Sequence, residues 1–387
     1  MSRFRKVFAL VPLLLGTLAA PAPAAPATFT HPGVLVSRPQ LDFVKAKVSA
    51  GAQPWKAAYD QARGSAYASL SRTPKPRAVV ECGSYSNPDN GCTDEREDAI
   101  AAYTDALIWC ITGDARYAQK AIALMDAWSA VITSHTNSNA PLQTGWAGSS
   151  WPRAAEIIKY TYPSWPNSGR FGTMLRNVYL SKVINGSNSN GNWELSMMEA
   201  AVGISVFLED KTSFDKAVTR YSNRVAAYVY LASDGALPKT VPGSGLSSRD
   251  QIVSYWQGQS TFVDGLTQET CRDFTHTGYG IAAIADVAET LRIQGQDVYS
   301  TDVGTRLRQA LGFQSKYQMG AAVPSWLCDG HLSLGLGPVT EVGFNALNTR
   351  MGISMANTQT LTDRQRPAGS NNLFVAWQTL THAANPA

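Results

Sequence analysis

Glu97 to Ser129 reads EDAIAAYTDALIWCITGDARYAQKAIALMDAWS, and its rhythm decides the fold class. Ala99, Tyr103, Ala106 and Cys110 recur at steps of four, three and four, the spacing that stacks side chains on one face of an α-helix. Thr112-Gly113-Asp114 stops the run, and Tyr117, Ala121, Leu124 and Trp128 repeat it. Two helices joined by so short a turn lie antiparallel, as a hairpin.

The same unit extends in both directions. Ser37-Arg38-Pro39-Gln40 reads as a capping box with proline in the first turn, followed by Leu41, Val44 and Val48 on one face. Downstream, Phe171, Met174 and Val178 mark a helix. Trp193, Met197, Ala200, Ile204 and Phe207 mark another, and Phe214, Val218, Tyr221, Val225 and Tyr228 its return partner after Asp210. Gly280 to Ile293 is helical by alanine content and pattern. Strand-like alternation is hard to find. Successive helical hairpins predict an all-α chain, an (α/α) toroid or incomplete barrel whose inner helices surround a groove, as one domain over residues 25–387. A solenoid or an irregular bundle leaves similar marks. Residues 234–270 break the rhythm with Gly, Pro and Ser, and we read them as groove wall, with Tyr255 and Trp256 as its aromatic contacts for substrate.

Residues 1–24 carry a basic start, an apolar stretch and the run Ala22-Pro23-Ala24, the anatomy of a cleaved signal peptide. A secreted or periplasmic chain is expected, with no membrane span after cleavage. The net charge of +4 falls to about +1 without the three basic leader residues, so neither a basic excess nor a Lys/Arg stripe points to nucleic acid. Of five cysteines, Cys82 and Cys92 flank a loop rich in Gly, Asn, Pro and Asp and form the leading disulfide candidate, Cys271 with Cys328 the second. Cys110 reads as a small buried hydrophobe. No HxH, HExxH or CxxC spacing is present, so no metal or cofactor is expected, and a monomer is.

The densest polar cluster is Gln268 to Gly280, QETCRDFTHTGYG. If a helix starts near Asp273, then Arg272, His276 and Tyr279 at i, i+4 and i+7 share a face. Such a face makes a poor core stripe. A purely structural alternative has Asp273 or Thr275 capping the helix and Arg272 pairing with Glu269. Gly278 and Gly280, each costing about 1 kcal/mol in a helix, imply that something approaches the backbone closely. A second cluster, NGSNSNGNWE from Asn185 to Glu194, starts another helix near Asn192, which serves either as a cap or as a ligand group. A third holds Trp146, Trp151 and Arg153, residue types that stack on sugar rings or pair with a carboxylate, or that simply pack the core.

Four blocks, HPGVLVSRPQLDFVKAKVSAGAQPW (His31 to Trp55), Glu97 to Ser129, WPRAAEIIKYTY (Trp151 to Tyr162) and ETCRDFTHTGYG (Glu269 to Gly280), resemble the alginate lyase family, and the likeness extends to NNLFVAWQTLTHA (Asn371 to Ala383). The resemblance implies an (α/α) toroid and lytic cleavage of a polyuronate. It further implies that Asn192 and Arg272 bind the sugar carboxylate while Tyr279, seven residues after the arginine, handles protons. Family members follow that asparagine with histidine; here Trp193 stands there, so either His276 supplies the imidazole or this branch works without it. The expected catalytic set is Tyr279, Arg272, His276 and Asn192, with Trp193, Trp146, Trp151, Arg153, Tyr255, Trp256 and Glu269 as substrate-binding residues.

Elimination at a uronate needs the carboxylate charge neutralised before the C5 proton can leave, and a cation beside the tyrosine, here Arg272, to lower its reluctance as a base. In mannuronate and glucuronate the C5 hydrogen and the C4 oxygen lie on one side of the ring, so one residue can serve as base and then acid. The expected substrate is therefore mannuronate-rich alginate or a β-1,4-glucuronan. Two other classes compete: an inverting glycoside hydrolase using two of Glu194, Glu199, Glu269 and Asp273, and a non-catalytic binder of acidic polysaccharide.

Overall fold

Local capping chemistry sets the helix starts. In the computed structural model, which describes Met1 and residues 29–387, α1 (Arg38–Ser49) begins on the Ser37/Gln40 capping box and α2 (Trp55–Gly64) follows. The signal peptide read over residues 1–24 lies outside the described residues. Next come β1 (Val79–Cys82), β2 (Asp89–Asn90), α3 (Cys92–Thr112) and α4 (Ala115–Ser129). Gly113 turns the α3–α4 hairpin with a left-handed φ of 72°, and the Asp114 carboxylate accepts the Arg116 amide. β3 (Ser134–Thr136), α5 (Ala140–Thr161), α6 (Ser168–Met174), α7 (Ser181–Val183), α8 (Gly191–Phe207) and α9 (Lys211–Tyr228) lead to the irregular segment that contains α10 (Arg249–Tyr255). α11 (Phe274–Ile293), α12 (Asp302–Gln318), α13 (Glu341–Phe344), α14 (Ala356–Gln365) and α15 (Gln378–His382) complete the chain.

The strands were not foreseen. They form one small sheet of order β2-β1-β3, with β1 antiparallel to β2 and parallel to β3. Each is too short to display a period of two in sequence. The Cys82–Cys92 disulfide closes the hairpin, and Cys271–Cys328 is the second bond. Cys110 is unpaired and partly buried, its thiol pushed up to about 11 by burial.

Burial sorts the helices into two layers. α3, α5, α8 and α11 bury residues around their whole circumference, whereas α4, α9 and α12 bury one stripe, as inner and outer helices should. The inner helices run parallel. Arg96 and Trp109 of α3 bond to Gln143 and Thr161 of α5, in step. Gly145, Gly148 and Pro152 of α5 likewise meet Met197, Ala200 and Gly203 of α8, and a Cβ at Gly145 would stand 3.2 Å from the Met197 nitrogen. The chain ends meet, Trp55 Nε1 donating to the Ala383 carbonyl at 2.9 Å and Asn385 to that of Gln40 at 3.3 Å. At the centre, the buried Arg153 of α5 donates to Glu199 of α8, to Asp286 of α11 at 2.9 Å and to the Phe374 carbonyl at 2.8 Å.

A titratable pin fastens the N-terminal segment. His31 stacks on Tyr160 at 4.1 Å and bonds to Glu156 at 2.8 Å and to Glu209. Burial alone would lower its pKa, but the two carboxylates raise it above the usual 6.5, while burial also pushes Glu156 upward and narrows the window from the acid side. A histidine raised on folding contributes fully below its unfolded value of about 6.5 and ceases to as pH climbs through the raised value. In urea unfolding, the wild-type advantage over His31→Asn should therefore be larger at about pH 6 than at about pH 9; equal advantages at both would contradict the pin.

Candidate active site

The parallel inner helices begin at one end of the ring, and there a cleft of about 420 Å³ opens, within the usual range for a ligand site. Ser84, Tyr85 and Ser86 from the strap between β1 and β2 line it, with Asn139, Leu142 and Trp146 from the start of α5, Trp193 from α8, Arg272, His276 and Tyr279 from the start of α11, and Leu373. The N-terminal ends of three helices, α5, α8 and α11, border this space, so their dipoles present positive ends to whatever enters it. A ligand carrying carboxylates suits such a field.

Arg272 is held from two sides. Its Nη1 donates to Glu269 Oε1 at 2.8 Å, and its Nη2 donates to His276 Nε2 at 3.0 Å. A guanidinium only donates, so that ring nitrogen is unprotonated and Nδ1 carries the hydrogen, directed at Asp273 at 2.7 Å. His276 thus links Asp273 to Arg272 and aims the guanidinium. Asp273 also caps α11, accepting the His276 amide at 2.7 Å. Burial pushes the Asp273 carboxyl up, but His276 and then Arg272 bring it below the ordinary carboxylate range. The structural and the functional readings of this cluster thus coexist: Asp273 caps, Arg272 pairs with Glu269, and the face still points into the cleft.

Behind Arg272, the Glu269 carboxylate is sealed from solvent. It accepts from the Asn192 side chain at 2.7 and 2.8 Å, from the Asn192 backbone at 3.1 Å and from the Tyr228 hydroxyl at 3.1 Å. The structure does not bring Asn192 to the cleft surface: its amide is spent on Glu269, and its Oδ1 is buried without a partner.

Tyr279 is half-buried, its ring edge-on to Trp146 at 6.1 Å and to His276 at 5.6 Å. Burial and the charge of Asp273 push its hydroxyl above the usual value of 10, and the cation that opposes them is Arg96. This corrects the expectation that Arg272 lowers the tyrosine: the net shift is upward, and Arg272 is already engaged with Glu269.

Trp146 and Trp193 line the cleft as expected. Trp151 and Arg153 do not. The Trp151 indole donates to the Tyr179 hydroxyl at 3.1 Å inside the core, and Arg153 is the central ion tie. Tyr255 and Trp256 line a separate cavity of about 50 Å³ with Arg224 and Lys239, room for roughly one or two waters and not for a sugar. Glu269 is one layer too deep to touch a ligand. Gly278 and Gly280 do mark close approach, but the approaching groups are the Leu336 carbonyl and the Tyr228 ring. Sequence reasoning missed the Ser84–Ser86 strap, where Tyr85 stands 86% exposed with φ 54°, and it missed Arg96. Positive φ at Tyr85 and Ser86 had no glycine to announce it. Of the four acids available to a hydrolase, Glu194 is sealed on Arg220 and Arg224, Glu199 on Arg153 and Glu269 on Asn192, Asp273 is taken up by the His276 amide and ring, and among the described residues that line the cleft none is a carboxylate.

Residues 44–321 match the family model described as alginate lyase. Among solved structures, an alginate lyase from Bacteroides ovatus is 12% identical, with 91% of this chain and 99% of that one covered at a TM-score of 0.59. A histidine-to-alanine variant of alginate lyase A1-III complexed with tetrasaccharide is 15% identical, covering 89% and 95% at 0.61. The same enzyme from Sphingomonas species A1 is 14% identical, covering 89% and 96% at 0.55. No curated protein matches in sequence. The low identities carry the helical toroid, and the family model carries the family.

Glu269→Gln keeps the shape of the hub but removes its charge and one acceptor. It should cost about 1–3 kcal/mol in urea unfolding and raise KM as Arg272 loses its anchor; wild-type stability together with wild-type KM would count against the hub.

Proposed function

We propose, from the premise that this chain belongs to the alginate lyase family and is a polysaccharide lyase, that it cleaves a β-1,4-linked polyuronate, mannuronate-rich alginate or glucuronan, with Tyr279 as both base and acid. The observation that carries this reading is the composition of the cleft: a phenol, a guanidinium and an imidazole face one space, and among the described residues that line it none is a carboxylate. An inverting hydrolase needs two carboxylates there.

Arg272 and the converging helix N-termini take the charge of the sugar carboxylate, which makes the neighbouring C5 proton removable. The Tyr279 phenolate takes that proton. The electron pair left on C5 forms the C4–C5 double bond as the C4–O bond breaks, and the departing oxygen receives the proton back from the phenol. No water is consumed, and the tyrosine returns to its starting form. His276 and Glu269 hold Arg272 in place, and Asn192 holds Glu269. Trp146, Trp193 and Tyr85 offer aromatic faces along the cleft for sugar rings. Export fits the expected leader and two disulfides, which persist in oxidising compartments; among the described residues no helix is long and apolar enough to cross a membrane.

Tyr279→Phe deletes one hydroxyl and leaves the cleft wall standing. Formation of unsaturated chain ends from mannuronan, read by ultraviolet absorbance, should fall about 10²–10⁴-fold with binding kept within a few-fold. Turnover near the wild-type rate would remove Tyr279 from the mechanism.

A further inference from the structure

Arg96, in the first turn of α3, is 6% exposed and carries its charge without an ion-pair partner among the described residues. Its hydrogen bonds go to Gln143 Oε1 at 2.5 Å, Thr93 Oγ1 at 3.1 Å and Ser86 Oγ at 3.3 Å, all neutral, and its Nε has none. Buried arginines are ordinarily paired, because an uncompensated charge is expensive away from water. Here Gln143 stands between Arg96 and Glu95, its side-chain oxygen accepting from the guanidinium and its amide nitrogen donating to Glu95 Oε2 at 2.6 Å. Glu95 itself is occupied by Tyr179 and His135. The guanidinium lies 5.6 Å from the Trp146 ring, which packs edge-on against Tyr279. Arg272, by contrast, is already compensated by Glu269.

We propose that Arg96 is a positioning residue for proton transfer: its charge, in direct contact with no carboxylate and fixed behind Trp146, stabilises the phenolate of Tyr279 and so sets how much base the cleft holds at a given pH. The proposal deepens the elimination reading and rests on it. The groups facing Tyr279 are Asp273, which disfavours the phenolate, Arg96, which favours it, the His276 ring, and Arg272 on the same wall of the cleft. Arg96 in turn faces Asp89, Glu95, Glu97 and Tyr279, while burial pushes its own pKa down. With Arg96 neutralised, Asp273 acts on the phenol unopposed, and an arriving sugar carboxylate adds to the same repulsion.

The test is kcat for mannuronan from about pH 6 to pH 10 in wild type, Arg96→Gln, Arg96→Lys, Ser86→Asp and Ser86→Asn. Arg96→Gln should lower kcat near neutrality about tenfold and move the rising alkaline limb up by about one pH unit, the equivalence of one pKa unit with a factor of ten, with KM little changed. Arg96→Lys should keep the limb near its wild-type position. If Arg96→Gln does not fold, Ser86→Asp sets a carboxylate on the same guanidinium from the surface strap, where aspartate tolerates the left-handed backbone; its limb should move up and that of Ser86→Asn should not. An unmoved limb in Arg96→Gln, coincident limbs in the Ser86 pair, or an effect confined to KM would overturn the proposal. A wild type that yields no unsaturated ends would instead overturn the elimination reading, whereas an inactive Tyr279→Phe beside an unmoved Arg96→Gln limb sinks only the role of Arg96.

Discussion

A carboxylate taken out of water must find donors for both oxygens, and Glu269 finds them on three separate elements. Asn192 opens α8, Tyr228 closes α9 and Arg272 precedes α11. The need to satisfy one buried charge therefore fixes where three chain segments stand relative to one another at the mouth of the ring. Arg272 gains from this a direction it would lack as a free surface arginine: one edge is held by Glu269, the other by His276, and what remains faces the cleft. The same constraint explains why Asn192 lies in the wall and not on its surface.

The ring supplies the second ingredient. Because hairpins alternate direction, every inner helix starts at the same end, and the glycines of α5 let α8 approach closely enough for the starts to converge. Positive dipole ends and Arg272 then border the cleft, with Arg96 behind its Trp146 wall. The two arginines differ in how they are compensated. Arg272 is paired and oriented, suited to grip a carboxylate; Arg96 is buried among neutral partners, suited to act on charge that forms later. Disulfides pin the chain on both sides of the cleft, Cys82–Cys92 under the strap that carries Tyr85 and Cys271–Cys328 next to Arg272.

Much of this was legible in the residue order, and the gaps have physical reasons. The Ser37 capping box, the α3–α4 hairpin and the Arg272, His276, Tyr279 face follow from local chemistry and a 3.6-residue period, and each is found as read. Periodicity fails on helices buried all round: on α5 it cannot tell Trp146, which faces the cleft, from Trp151 and Arg153, which face the core. Arg96 sits in Asp94-Glu95-Arg96-Glu97, a run that reads as a solvated first turn, and only the tertiary fold shows that Gln143 screens it from Glu95. Tyr255 and Trp256 close the short helix α10 inside an irregular segment, and no local rule says which way so short a helix faces. The short strands pair segments distant in sequence, Val79 of β1 with Ser134 of β3, which local patterning does not reveal.

One phenol that both takes and returns a proton can work only on a ring whose C5 hydrogen and C4 oxygen share a side. The most direct test is the ratio of unsaturated-end formation from pure mannuronan to that from pure guluronan, its C5 epimer. The account predicts a ratio of at least about 10² in favour of mannuronan, the scale of a missing general acid or base. Comparable rates on the two polymers would contradict it, since guluronan needs a second proton-handling group on the opposite face.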